Sequence, residues 1–69
     1  MKHEDEKVYR IMYNGKYVQF VRVTGYIRYK LHDDMCNVNP MTITMANAVI
    51  GALSEDNGIV EEELTIVKA

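Results

Sequence analysis

Between Tyr9 and His32 apolar and polar residues alternate with a period of two, and two turn signals divide the run into three segments. Asn14-Gly15 comes first. Both residues tolerate the positive φ that a two-residue type I′ hairpin turn requires. Pairing outward from it sets Tyr13 opposite Lys16, Ile11 opposite Val18 and Tyr9 opposite Phe20 on one face. Met12 opposite Tyr17, Arg10 opposite Gln19 and Val8 opposite Val21 share the other. Thr24-Gly25 supplies a second turn, after which Ile27, Tyr29 and Leu31 join the apolar face. Tyr26, Arg28, Lys30 and His32 join the other face. A slip of one residue would turn every apolar side chain to water, so the register is well specified. The pattern predicts a three-stranded antiparallel meander.

After a polar stretch, "DDMCNVN", the period changes to that of a helix. Asn39-Pro40 offers a cap and a first helical residue, with Thr42 as the alternative cap. Ala46, Val49, Ile50 and Leu53 form the stripe expected to lie on the sheet, and Asn57-Gly58 ends the helix. "IVEEELTIVK" reads as a fourth strand, with Val60, Leu64 and Ile66 facing the core and Glu61 and Glu63 on the open face. The predicted order is β-β-β-α-β, a small two-layer α+β domain over residues 7–69. Residues 1–6 form a flexible acidic arm. The expected core is Tyr9, Ile11, Val18, Phe20, Ile27, Tyr29, Leu31, Ala46, Val49, Ile50, Leu53, Leu64 and Ile66.

Charge changes the picture more than composition does. Of eight lysines and arginines, six lie between Lys7 and His32, a segment without a single acid, although the chain's formal net charge is −2. The open face of the meander therefore carries Arg10, Arg28 and Lys30 among Met12, Tyr17, Gln19, Tyr26 and His32. That surface suits a protein partner. Cations interleaved with flat rings also suit single-stranded nucleic acid, the alternative, although a net negative charge disfavours nonspecific phosphate binding. The plain reading is a solvated sheet face, neutralised across strands by Glu61 and Glu63.

From Met35 to Ser54 there is no charged residue. Beside the core stripe runs a second apolar row, Met41, Met45, Ala48 and Ala52, which one sheet cannot easily cover. A chain this short buries only about 60% of its unfolded surface, and its single cysteine leaves no disulfide to help. The row is the expected seat of a weak homodimer.

Candidate chemistry is thin. "LHDDMC" brings His32, Asp33, Asp34 and Cys36 together, but structural zinc wants four nitrogen or sulfur ligands, and His3 is the only other histidine. Cys36 with His32 as nucleophile and base lacks an electropositive setting, since two aspartates adjoin it. No glycine-rich phosphate loop is present. The expectations are a non-catalytic binding protein, no cofactor, no metal, no membrane span and a cytoplasmic location. In its profile of small size, segregated charge and lack of catalytic groups, the chain resembles the small accessory proteins of bacterial phages and prophages. That resemblance implies an inhibitor or regulator that occupies a host protein's surface.

Overall fold

A computed structural model describes residues 6–68. The expected acidic arm falls, apart from Glu6, outside the described residues. Four strands, β1 (Tyr9–Tyr13), β2 (Lys16–Val23), β3 (Tyr26–His32) and β4 (Leu64–Lys68), form one antiparallel sheet in the order β3-β2-β1-β4. One helix, α1 (Ile43–Asn57), packs on one face. This is the small α+β domain that the periodicities predict.

The local signals act as their chemistry requires. Asn14 and Gly15 both take positive φ, 55° and 75°, closing the first hairpin at Tyr13↔Lys16. The second turn sets Val23 opposite Tyr26 and Phe20 opposite Tyr29. β4 pairs with β1 through Ile11↔Ile66 and Tyr13↔Leu64, which puts its apolar residues on the core face. There Ile11, Val18, Ile27, Ala46, Val49, Leu53 and Leu64 are buried together, with Tyr9, Phe20, Tyr29, Leu31, Ile50 and Ile66 packed against them. Every residue of the expected core is there, but Val60, expected to face it from the last strand, is 51% exposed. Met41, Ile59 and Val38 are buried as well, without having been expected.

Three expectations need correction. The helix begins one turn later than Asn39-Pro40 suggests: Thr42 is the N-cap, and its hydroxyl accepts from Met45 N at 3.1 Å. Glu61–Glu63 form a 3-10 turn, and the fourth strand starts only at Leu64. Glu61 and Glu63 therefore precede the strand and take no part in its alternation, and β4 contributes Thr65 and Val67 to the open face, opposite Met12 and Arg10.

The third correction concerns the sheet itself. The ladder between β1 and β2 ends after Tyr13↔Lys16 and Met12↔Tyr17. The expected pairs Ile11–Val18, Arg10–Gln19 and Tyr9–Phe20 do not form. Met41 takes their place, exchanging two backbone hydrogen bonds with Tyr9 at 2.8 and 2.9 Å. Arg10, on the open face by alternation with Ile11, donates from Nε to the carbonyl of Val38 at 2.8 Å. Val38 is buried outside the main core, whereas Met41 is part of it. The connection from β3 to α1 thus crosses the open face and passes between β1 and β2 to reach the helix.

Candidate interaction surface on the open sheet face

That path divides the predicted site. Arg10, Met12, Tyr17, Gln19 and His32 are half-buried on the side that the connection crosses. Arg10 is held by Val38, and the His32 ring and the Gln19 carboxamide lie 2.7 Å apart, in hydrogen-bond contact. Tyr26, Arg28 and Lys30, on β3, remain exposed, with Val21 beside Arg28 in register. Val21 and Tyr26 are 47% and 46% exposed, high values for large apolar groups in so small a domain. Among the described residues neither Arg28 nor Lys30 has a hydrogen-bond or ion-pair partner. The acids expected to neutralise them lie in the 3-10 turn Glu61–Glu63, ahead of β4, at the opposite edge of the sheet from β3. Val21 was legible as an open-face residue, but its exposure depends on where the connection runs.

The connection is pinned at its start by electrostatics. Asp33 forms an ion pair with Lys16, and hydrogen bonding to that ammonium, with its charge, holds the Asp33 carboxyl below its usual range. Asp34 accepts from the backbone N–H of Cys36 at 3.0 Å, which lowers its pKa and caps the 3-10 turn Met35–Asn37. The same carboxylate pushes the Cys36 thiol up, by hydrogen bonding first and by charge second. A raised thiol is a poor nucleophile at neutral pH, and His32 is engaged with Gln19 rather than with Cys36. Among the described residues no group of three or more His, Cys, Asp and Glu side chains converges as a metal site would.

The helix row also splits. Met41 precedes α1 and is buried at 6% exposure, so it cannot belong to an exposed helix face. The pairing with Tyr9 turned it inward. Met45 and Ala48 are exposed and Ala52 is half-buried. No described helix is long and apolar enough to cross a membrane.

No protein-family model matches the chain, and neither a curated protein nor a solved structure does.

Proposed function

We propose that this is a non-catalytic binding protein whose partner is a protein with an acidic surface, engaged by the exposed β3 side of the open face. The observation that carries this reading is the patch of Val21, Tyr26, Arg28 and Lys30, in which neither cation's side chain has a partner among the described residues. Tyrosine and arginine beside an apolar residue suit a desolvated contact, and two unpaired cations suit carboxylates on the other side. Regulation or inhibition by occupying a partner's surface, as the profile of small phage and prophage accessory proteins implies, needs no more than this. Single-stranded nucleic acid is the weaker reading. It asks for several stacking rings and a track of positive charge, whereas Tyr17 is half-buried and Arg10 and Lys16 are already engaged.

Capture from the source cell with native bait and with an Arg28→Glu, Lys30→Glu double variant tests the reading. The expected result is a partner retained by the native protein and lost by the variant. Equal recovery by both baits would remove this face from the account. Titration with single-stranded DNA and RNA at low salt should show no binding; affinity that falls steeply with log[salt] would restore the nucleic-acid reading.

Self-association through α1 has a narrower seat than the sequence implied, namely Met45, Ala48 and Ala52. Sedimentation should show a weak dimer that Ala48→Glu converts to a folded monomer. A native monomer at high concentration would end that proposal.

A further inference from the structure

A two-residue turn makes its flanking residues exchange backbone hydrogen bonds, and the direction of those groups then alternates along each strand. Val23 flanks the second turn opposite Tyr26. Val23, Val21 and Gln19 accordingly direct their N–H and C=O groups at β3. Phe20 and Arg22 direct theirs the other way, to where β1 would lie in an unbroken hairpin. There the ladder has already ended, and β1 is bonded to Met41 instead.

The segment across the gap does not complete the ladder: no backbone hydrogen bond joins residues 38–42 to Phe20 or Arg22. Val38 and Thr42 are both extended, and Met41 turns its own N–H and C=O to Tyr9. In extended chain the neighbouring residue, Pro40, faces the opposite way, towards β2. Proline has no N–H to give, and its carbonyl accepts no hydrogen bond from Phe20. The inner edge of β2 is thus left open inside the sheet.

The gap is a cleft of about 320 Å³, lined mainly by Val18, Phe20, Val38, Pro40, Met41 and Met45, with Lys7 among the polar residues at its wall. No acid lines it. We propose that an extended apolar segment of a protein partner docks here by strand addition. Its backbone pairs with Phe20 on β2, alternate side chains enter the cleft, and an acidic residue meets Lys7. The free backbone groups are what select a peptide. A small apolar molecule could fill the volume but would leave them unanswered. The proposal is independent of the Arg28 and Lys30 patch and survives that patch's failure.

The probe is a pool of N-acetylated, C-amidated pentapeptides drawn from Val, Ile, Leu, Gly and Glu, passed over the immobilised full chain. Retained members are identified by mass and titrated by NMR against three proteins: native, Met45→Glu, and a chain made by total synthesis with N-methylated Phe20. Retained peptides should alternate apolar residues and carry a glutamate at one end. Their shift changes should centre on Phe20, Arg22 and residues 38–42. N-methylation should weaken binding about fivefold to tenfold, the worth of one lost backbone hydrogen bond. The melting temperature should hold, because that N–H has no ladder partner. Met45→Glu, which places a carboxylate at the mouth and completes a capping box with Thr42, should weaken binding in a fully folded protein. If the synthetic chain does not fold, this variant decides. The proposal falls if nothing is retained, if retained peptides bind the altered proteins as well as the native one, or if the shifts gather at Arg28 and Lys30.

Discussion

β1–β2 and β2–β3 are both hairpins closed by two-residue turns, and they share a strand, yet one is zipped for seven residue pairs and the other for two. The better turn sequence, Asn14-Gly15, belongs to the shorter ladder. A turn therefore fixes the register of a hairpin without fixing how far it zips. Zipping depends on what competes for the strand, and here two hydrogen bonds from Met41, plus a buried methionine side chain, displace the far half of β1 from β2.

Amide hydrogen exchange should expose the difference most strongly. The N–H groups of Gln19 and Val21 point at β3, and that of Phe20 points into the cleft. Phe20 should exchange on the order of a thousandfold faster than its two neighbours, given a global stability of a few kcal/mol. Equal protection at all three positions would mean that β1 and β2 are zipped after all. Truncations should differ next. Ile11 is wholly inaccessible, so Ile11→Ala should cost about 2–5 kcal/mol in denaturant unfolding. Phe20 lines the cleft and is only partly buried. Phe20→Ala should cost about 2 kcal/mol, less than a fully packed phenylalanine. A larger loss at Phe20 than at Ile11 would refute an open cleft.

The smallest effect lies beside the Asn14-Gly15 turn, where Lys16 meets Asp33. A carboxyl depressed in the folded state contributes stability that is fully present above its unfolded pKa and is lost as pH falls through the lowered value. An NMR titration should find Asp33 below the ordinary 3.8, and Lys16→Ala should return it there. Both groups are well exposed, so the accompanying change in stability is slight.

Local chemistry made most of the fold legible. Asn14, Gly15 and Gly58 each take the positive φ that their positions demand, and a strict period of two assigned the core face correctly on β1, β2 and β3. The split was not legible because its cause is non-local: Tyr9 and Met41 are far apart in sequence. Asn39-Pro40 is a sound helix start on its own terms, and nothing nearby says that an extended pairing will claim it. Glu61–Glu63 misled for a related reason. Their alternation with apolar neighbours looks like a strand, but Ile59 and Leu64 are both buried, and the three glutamates turn the chain between them. For the open face, composition could be read directly. Which half stays uncovered could not, because that depends on the route taken by residues 33–41.

The crossing of the sheet also sets an order of assembly. β1 and β2 make a clip, shut at Asn14-Gly15 and open at the other end, and the connection enters that open end from the side. No chain terminus has to be drawn through, so the topology stays free of knots. During synthesis, however, residues 9–23 are complete well before residue 41 emerges. The nascent hairpin is then free to zip along its whole length, into the pairing that its own sequence favours. Any pairing beyond Met12↔Tyr17 would have to come apart before Met41 can seat. The fully zipped hairpin is therefore a rival of the native sheet, local and quick to form, and the late arrival of one methionine decides between them.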